Sequence, residues 1–213
     1  MILPVEYALP GTTERVGIDP WVYAPDPVVT PYTPPGKKAV HTLLHSSESV
    51  EWYTPASIVE PARITLGEIT LDPASCAVAQ QVVKARRYFI KEDDGLTADW
   101  RSPKGVFLNP PYGKEHGQST CGRFVDKVLH EYRAGHIGAA VVLVNANTST
   151  RWFQALLTAP DSSVCFLAKR VQFWREDGGS RSPTNSNALF LLTADHATRA
   201  RFHTAFGPLG TIR

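Results

Sequence analysis

The chain has 213 residues, 43% of them apolar, with a formal net charge of +2 and a pI near 8.4. This length and composition fit one α/β domain with appended pieces and exclude a chain too polar to build a core. No apolar run reaches the roughly 18 residues of a membrane-spanning helix, and the first ten residues do not resemble a signal peptide. A protein bound to nucleic acid over its whole surface would be more basic, so any DNA contact is expected to be a local patch.

The cysteines and histidines indicate neither a disulfide framework nor a metal site. Cys76, Cys121 and Cys165 are odd in number and widely separated. They are typical of reduced thiols in a cytoplasmic protein, and no histidine near the motifs would activate one as a nucleophile. The seven histidines have no metal-ligand spacing with one another or with the cysteines, so no metal is predicted.

Residues 1–50 form a proline-rich segment. Eight of the 17 prolines precede residue 36, a density that prevents long helices and central strands. Trp21, Tyr23 and Tyr32 nevertheless supply aromatic side chains that can pack. The sequence therefore predicts an extended arm or irregular subdomain over 1–50, followed by one catalytic domain over 51–213.

From Glu51 onward, short apolar runs alternate with amphipathic stretches. In chain order, the pattern predicts a short helix limited by Pro61, a strand at 68–71, a helix capped by Ser75 and ending near Arg87, strands at 88–91 and 105–108, a helix at 121–134, a strand at 139–144, a helix at 152–157, and strands at 163–167 and 188–192. This alternation is typical of an α/β sheet with helices on both faces. Ligands collect at the carboxyl ends of strands in such sheets. Because Asp72 and Asn109 each follow a predicted strand, they are expected to share one cleft.

The tetrapeptide Asn109-Pro110-Pro111-Tyr112 follows the strand predicted at 105–108. The exocyclic amino group of a base is a poor nucleophile because its lone pair is delocalised into the ring. Two acceptors that each take one N–H outside the ring plane would free this lone pair, and the Asn109 side-chain oxygen and the Pro110 carbonyl form such a pair. The two prolines hold the carbonyls rigidly, and Tyr112 offers a face for a stacked base.

A rigid connection from strand to turn would explain the same four residues without any chemistry. The apolar strand before them and the Tyr-Gly pair after them favour the chemical interpretation, which is methyl transfer to an amino group. A neutral asparagine suits this reaction because it holds the amino hydrogens without acting as a strong base. In a duplex, the target base would have to be flipped out of the stack.

With these residues in place, the sequence resembles the phage-type DNA N6-adenine methyltransferases related to Dam. The similarity covers about residues 52–192 and is carried, in order, by EWYTP at 51–55, LDPAS at 71–75, YFIKEDDGLTADW at 88–100, FLNPPYG at 107–113, VQFW at 171–174 and PTNSNALFLL at 183–192. The resemblance implies a Rossmann-like methyltransferase fold with a mixed, mostly parallel sheet. It also implies S-adenosyl-L-methionine as cofactor and adenine N6 in DNA, with double-stranded DNA expected, as substrate.

The resemblance implies a role for each matched segment. Trp52, Tyr53, Thr54 and Pro55 would line the methionine end of the cofactor, Asp72 would lie near the methionine amino group, Asp99 and Trp100 would border the adenine of the cofactor, and Asn109 to Tyr112 would be the catalytic motif, with Asn109 also contacting the cofactor. The glycine-rich turn usual after the first strand is replaced by Asp72-Pro73-Ala74-Ser75. The way this turn holds the cofactor, with Ser75 among its predicted contacts, is therefore left open.

The acidic partner of the cofactor ribose is also left open. Asp93 and Asp94 lie about 20 residues beyond Asp72, the separation at which an acidic residue binds the ribose in dinucleotide folds. Asp94 is taken as the candidate. A solvated turn before Gly95 explains the same residues equally well.

Two basic regions are candidates for DNA contact. Lys114, His116 and Arg123 follow the catalytic motif and fit either phosphate contacts from a flexible loop or a merely solvated loop. The second region mixes charge with aromatic faces around Phe173 and Trp174, which favours DNA contact, and comprises Lys169, Arg170, Arg175 and Arg181. Gly178 and Gly179 are typical of a hairpin or loop there. Asn145 and Asn147 would either edge the pocket or close a turn.

Other substrates and one other class of protein remain possible. The same acceptor pair would serve cytosine N4, adenine in RNA or a protein glutamine. C5-cytosine methylation is disfavoured because it requires a covalent cysteine step. A non-catalytic DNA-binding protein that retains the fold is suggested by the missing glycine turn, although the intact Asn109-Pro110-Pro111-Tyr112 argues against it. The recognition sequence, the oligomeric state and the role of the arm cannot be predicted.

Overall fold

The computed structural model describes residues 5–8, 15–18, 52–176, 180–181 and 185–213, with the backbone alone at 5–8, 15–18, 102–103 and 180–181. Near the start of the chain, β1 (Val5–Ala8) pairs with β2 (Arg15–Ile18) as an antiparallel hairpin. The rest of the proline-rich arm lies outside the described residues. The division of the chain near residue 50 therefore stays a prediction.

Helices and strands alternate from residue 56 onward. In chain order they are α1 (Ala56–Leu66), β3 (Leu71–Asp72), α2 (Gln80–Val83), β4 (Arg87–Tyr88), a 3-10 turn (Lys91–Asp93), β5 (Ser102–Leu108), β6 (Lys114–Glu115), β7 (Gln118–Ser119), α3 (Thr120–Arg133), β8 (Ile137–Asn145), α4 (Arg151–Leu157), β9 (Ser162–Leu167), β10 (Phe173–Trp174), β11 (Ser180–Arg181), β12 (Asn187–Leu192), α5 (His196–Phe206), a second 3-10 turn (Gly207–Leu209) and β13 (Gly210–Ile212).

Seven strands form the central sheet, in the order β13-β9-β12-β8-β5-β3-β4. Strands β4, β3, β5 and β8 are parallel. Strand β12 is antiparallel to both β8 and β9, so β9 runs in the same direction as the first four, and β13 pairs antiparallel with β9 at the edge. Strand β3 lies between β4 and β5. The chain runs from β3 to β4 on one side and then returns to β5 on the other side, which creates a topological switch point between β3 and β5. The predicted α/β fold with a mixed, mostly parallel sheet is confirmed.

Helices cover both faces of this sheet because successive strand residues point to opposite sides. On β8, Val142 and Val144 belong to the core formed with α3 and α4, whereas Val141 and Leu143 belong to the core formed with α1 and α5. The amphipathic helix predicted at 121–134 is α3, and the predicted apolar face is buried at Phe124, Val125, Val128 and Leu129. The Ser119 hydroxyl caps this helix by accepting from the Gly122 N–H at 3.1 Å.

The helix predicted from Ser75 to Arg87 is wrong. Only α2, four residues long, forms there, and it has no side-chain cap. Short polar side chains compete with helix formation by bonding locally. Ser75 accepts from the Gln80 side chain at 2.7 Å instead of capping a helix, and Asp72 accepts from the Ala74 N–H at 3.4 Å. The chain therefore turns repeatedly between β3 and α2.

The strand predicted at 88–91 is shorter than expected. Strand β4 ends at Tyr88, and the Asp93 carboxylate accepts from the Ile90 N–H at 3.0 Å, which favours the 3-10 turn at Lys91–Asp93.

Two elements beyond residue 192, α5 and β13, were not predicted from the sequence. The buried residues of α5, Thr198, Phe202, Ala205 and Phe206, do follow a helical spacing. The basic residues between these positions made the helical spacing hard to recognise in the sequence. One of these, Arg201, donates to the Thr65 carbonyl at 2.9 Å and thereby ties α5 to α1.

Candidate active site

Asp72 and Asn109 lie at the same edge of the sheet. Leu71 on β3 pairs in parallel with Val106 on β5, so Asp72 ends one strand where Asn109 follows the next. This edge holds the carboxyl ends of both strands at the switch point, where α/β folds bind ligands. The two residues expected to share one cleft therefore lie on neighbouring strands at one edge of the sheet.

The side chain of Asn109 is held by Thr54. Its Nδ2 group donates to the Thr54 hydroxyl at 3.1 Å across 55 residues of sequence. Thr54 is buried, with 5% of its surface exposed, and Pro110 is also buried. Because the Nδ2 group is engaged in this way, the Oδ1 atom is the end of the amide that can accept from a substrate.

Tyr112 is fixed at its hydroxyl end and open along its ring. The hydroxyl accepts from the backbone N–H of Asn145, the last residue of β8, at 2.6 Å. The enclosure of this hydroxyl raises the pKa of Tyr112 well above its ordinary value, so the group keeps its proton. The residue as a whole is 47% exposed, and a partly exposed tyrosine ring can stack on a base.

Asn145 and Asn147, which the sequence placed either at the edge of the pocket or in a turn, have different surroundings. Asn145 lies beside Tyr112, and its Oδ1 accepts from the Asn187 side chain at 3.1 Å. Asn187 is buried, and its own Oδ1 has no hydrogen-bond partner among the described residues. Asn147 is exposed and closes the turn before α4, where its carbonyl accepts from the Thr150 hydroxyl at 2.8 Å.

Asp72 is a buried carboxylate at the end of β3. Burial raises its pKa to about 6, and hydrogen bonds from Ser75, the Ala74 backbone and Gln80 offset part of that rise. The Gln80 Nε2 group donates to Asp72 at 2.9 Å. Within the described residues, no lysine or arginine forms an ion pair with Asp72. A ligand that brings a positive charge would therefore be stabilised here.

The turn after β3 contains no glycine, but Gly95 in the neighbouring loop packs closely against the backbone of that turn. A Cβ atom on Gly95 would lie 2.0 Å from the Pro73 carbonyl oxygen, so only glycine fits this close approach. The Gly95 carbonyl accepts from the Trp100 indole N–H at 2.6 Å. Trp100 is completely buried and stacks near Phe124 with ring centroids 6.3 Å apart. Trp100 thus anchors the loop in the core, and its predicted contact with the cofactor stays a prediction.

Replacement of Gly95 by alanine is expected to destabilise the protein by about 3 kcal/mol, because the new methyl group would force two backbone segments apart. Chemical denaturation monitored by circular dichroism would measure this loss. Gly207→Ala is the matched control, since Gly207 has a φ of −55° and no atoms within 4 Å of the place that a methyl group would occupy. Equal stability of the two variants would contradict the close packing of Gly95 on Pro73.

Asp94 and Asp99 are both exposed and bonded to nearby backbone. Asp94 has a φ of 47°, and its carboxylate accepts from the Leu96 N–H at 3.1 Å. Asp99 accepts from the Arg101 N–H at 3.0 Å, and this hydrogen bond lowers the pKa of Asp99. These contacts favour the turn interpretation for Asp94. The ribose role of Asp94 and the adenine-bordering role of Asp99 stay predictions.

The segment that begins at Trp52 is attached to β10. Tyr53 and Trp174 exchange two backbone hydrogen bonds, of 2.9 and 3.1 Å, and their ring centroids lie 5.0 Å apart. The Trp174 indole N–H also donates to the Thr54 carbonyl at 3.4 Å. This contact joins the WYTP and VQFW motifs across 120 residues, and the sequence carried no local signal for it.

The first basic region is a hairpin rather than a flexible loop. Strands β6 and β7 pair around His116 and Gly117, whose φ values of 50° and 79° match a type I′ turn. Lys114 and His116 are exposed on it. Arg123, on α3, forms an ion pair of 2.9 Å with Glu115, so it is attached to the same hairpin.

The second basic region contains a strand pair, β10 with β11, in the segment where the sequence predicted a hairpin or loop. Lys169 and Arg170 are exposed before β10. The Arg175 guanidinium lies 5.5 Å from the centre of the Trp52 ring, which is cation–π geometry. The side chain of Arg181 lies outside the described part of the structure.

Two of the three thiols are buried in the core. Burial raises the pKa of Cys121 and of Cys165 to about 12, so neither ionises near neutral pH. Across the described residues, no group of three potential ligands is arranged to hold a metal ion. The helices in that part of the chain are all too short or too polar to cross a membrane.

The order and directions of the seven strands, with helices on both faces, are those of a Rossmann-like methyltransferase fold. The sequence model of the family described as "DNA N-6-adenine-methyltransferase (Dam)" matches residues 41–205, and the chain belongs to that family. It is 26% identical over 124 residues to a DNA N-6-adenine-methyltransferase of Haemophilus phage HP1 (strain HP1c1). This match covers 58% of the chain and 66% of the relative, just under two thirds of the relative's length. The resemblance to phage Dam-related enzymes is confirmed.

Proposed function

We propose that the protein transfers a methyl group from S-adenosyl-L-methionine to the N6 amino group of adenine in DNA. The observation that carries the proposal is the amide of Asn109, whose Nδ2 is bonded to Thr54 at the carboxyl edge of the sheet. Membership of the Dam family supports both the reaction and the substrate. Double-stranded DNA is the proposed form of that substrate.

Asn109 and Pro110 activate the amino group in this proposal. The Asn109 Oδ1 and the Pro110 carbonyl each accept one amino hydrogen of the flipped adenine, which draws the N–H bonds out of the ring plane and localises the lone pair on the nitrogen. S-adenosyl-L-methionine, when bound, supplies an electrophilic methyl group. Pro110 and Pro111 restrict the backbone that carries the acceptors. After transfer the methylated nitrogen is positively charged and far more acidic, and it releases one proton to solvent water.

The residues around Asp72 fit the methionine end of the cofactor. Asp72 is a buried carboxylate with a pKa of about 6 and has no cationic partner among the described residues. The ammonium group of methionine would supply the positive charge that stabilises the ionised carboxylate. The resemblance implies further cofactor contacts at Trp52, Tyr53, Pro55, Ser75, Asp94, Asp99 and Trp100. It also implies them at Thr54 and Asn109, but the hydrogen bond between these two side chains favours a role in the methyl-transfer step instead. The complete burial of Trp100 favours a supporting role for it over direct contact.

The two basic regions are proposed to hold the DNA backbone. Lys114 and His116 are exposed on the hairpin that directly follows the catalytic turn. Arg123 contributes to the same region, because a surface ion pair such as Arg123–Glu115 is worth little and can exchange for a phosphate. The second proposed set is Lys169, Arg170, Arg175 and Arg181.

Tyr112 is proposed to stack on the flipped adenine. Tyr112→Ala is expected to weaken productive DNA binding by about 1–3 kcal/mol. Tyr112→Phe should lose only about 1 kcal/mol, because it keeps the ring and removes only the hydroxyl that accepts from Asn145. The apparent KM for DNA would measure both effects. Equal losses in the two variants would rule out stacking as the main role.

Methyl transfer from labelled S-adenosyl-L-methionine to unmethylated DNA, followed by nucleoside analysis, tests the proposed reaction. We expect N6-methyladenine from duplex DNA. Formation of N4-methylcytosine would show that cytosine, not adenine, is the target base. Activity on RNA or single-stranded DNA alone would show that duplex DNA is not the substrate. Cofactor and DNA binding without transfer to any of these substrates would favour the non-catalytic class.

A further inference from the structure

We propose that Thr54 is a positioning residue for Asn109, and that its hydroxyl acts on the methyl-transfer step rather than on cofactor binding. This inference rests on the proposed function. It differs from the role implied by the resemblance, in which Thr54 lines the methionine end of the cofactor. The observation behind it is the hydrogen bond of 3.1 Å from Asn109 Nδ2 to the Thr54 hydroxyl.

Thr54 is suited to this task because both of its ends are held. Its carbonyl accepts from the Trp174 indole N–H at 3.4 Å. In the preceding residue, Tyr53, the backbone N–H donates to the Trp174 carbonyl and the carbonyl accepts from the Trp174 N–H. Pro55, which follows, is buried and has a fixed φ near −71°. The hydroxyl of Thr54 is therefore presented to Asn109 by a rigid segment.

The hydrogen bond holds the Asn109 amide with Nδ2 towards Thr54, so that Oδ1 is the end left for the substrate. An asparagine amide can turn end over end, and the turned form would present Nδ2 donors to the donors of an amino group. With Nδ2 bonded to Thr54, Oδ1 remains as the acceptor that the reaction needs. Loss of the hydroxyl would release the amide, so that part of the population presents the wrong group.

Burial separates this role from direct contact with the cofactor. Thr54 exposes only 5% of its surface, and its side-chain hydroxyl and carbonyl both already have protein partners. Removal of the hydroxyl should therefore change kcat and leave the Kd of the cofactor almost unchanged. A threonine that bound the methionine group would show the opposite pattern.

Thr54→Val removes the hydroxyl and keeps the volume, whereas Thr54→Ser keeps the hydroxyl. We expect Thr54→Val to lower kcat about five- to tenfold, with the KM for DNA and the Kd of S-adenosyl-L-methionine within about twofold of wild type, the scatter expected where no bond is lost. Thr54→Ser should restore most of the turnover. Thr65→Val is the matched control, because Thr65 is also buried but donates to the Pro61 carbonyl within α1, and it should keep wild-type kcat.

The double variant Thr54→Val/Asn109→Ala tests whether Thr54 acts through Asn109. If it does, Thr54→Val should cause no further loss once Asn109 is alanine. An equal additional loss in that background, an unchanged kcat in Thr54→Val, or a tenfold weaker cofactor Kd would each overturn the inference.

A readout independent of turnover distinguishes failure of this inference from failure of the proposed function. The side-chain amide protons of Asn109, assigned by their loss in Asn109→Ala, should shift in the NMR spectrum of Thr54→Val and not in that of Thr65→Val. If wild type transfers no methyl group but the shift occurs, the proposed function fails and the contact stands. If wild type is active and the shift is absent, the contact itself is wrong.

Discussion

Asn109→Ala is expected to lower kcat about a hundredfold while the affinity for S-adenosyl-L-methionine stays near wild type. The variant removes one of two acceptors that are oriented before the substrate arrives, and the loss of such a preorganised group costs about 3 kcal/mol in the barrier. Thr54 holds the Nδ2 end of the amide, so the whole acceptor function of this side chain rests on Oδ1. The backbone carbonyl of Pro110 would remain and would account for residual turnover.

Single-turnover methyl transfer together with a cofactor titration would measure the two quantities separately. Asn147→Ala is the matched control, because Asn147 is an exposed asparagine after β8 whose carbonyl closes a turn, and it should keep wild-type turnover. Asn109→Asp should lose less than Asn109→Ala, since a carboxylate still accepts and the Thr54 hydroxyl can donate to it. Near-normal turnover in Asn109→Ala would remove Asn109 from the mechanism.

Asp72→Asn is expected to weaken cofactor binding and to stabilise the fold at the same time. Loss of a charge-assisted contact with the methionine ammonium should raise the Kd by about ten- to a hundredfold at pH 8. The difference between a pKa of about 6 and the ordinary value of 3.8 for Asp72 corresponds to about 3 kcal/mol of cost for a charged carboxylate in the apo fold. Because asparagine loses about one hydrogen bond, the free energy of unfolding should increase by about 1–2 kcal/mol in Asp72→Asn.

The sign of the pH dependence follows from the direction of the shift. Folding raises the pKa of Asp72, so the folded protein holds this proton more tightly than the unfolded chain does. The corresponding stability is complete below pH 3.8 and is lost as the pH rises to about 6. The stability advantage of Asp72→Asn should therefore grow over that window, and cofactor affinity of the wild type should increase over the upper part of it.

Urea denaturation of the apo protein at several pH values, paired with cofactor titration, would measure both effects. Asp126→Asn is the control, because Asp126 is an exposed aspartate on α3 and should change neither quantity. A Kd for Asp72→Asn equal to that of wild type at pH 8 would contradict the ammonium contact. A stability loss at every pH would show that the charged carboxylate is better compensated than its burial implies.

The sequence predicted the centre of the sheet well because that centre depends on local patterns. Continuous apolar runs marked β8 and β12, which are buried on both faces. The strand before Asn109 and the strand before Asp72 then placed both residues at one edge by a general property of parallel sheets. The proposed catalytic motif was predicted from four adjacent residues.

The sequence could not predict features that depend on distant segments. The helix expected at Ser75 failed because Gln80 and Asp72 engage the polar groups that would have capped it. Gly95 gave no sign that it packs on Pro73, since the contact is set by tertiary structure. The link from Thr54 to Asn109 likewise has no local signature, because only the folded sheet brings the two segments together.

The Tyr53–Trp174 bridge ties the integrity of the site to a small, peripheral piece of structure. Strand β10 is two residues long and belongs to a separate strand pair outside the seven-stranded sheet. A local opening of this pair would cost far less than global unfolding. It would release Thr54, and with it Asn109, while the cores on both faces of the sheet stayed intact. In that event the orientation of the Asn109 amide would depend on closure of the Tyr53–Trp174 bridge rather than on the melting temperature of the whole molecule.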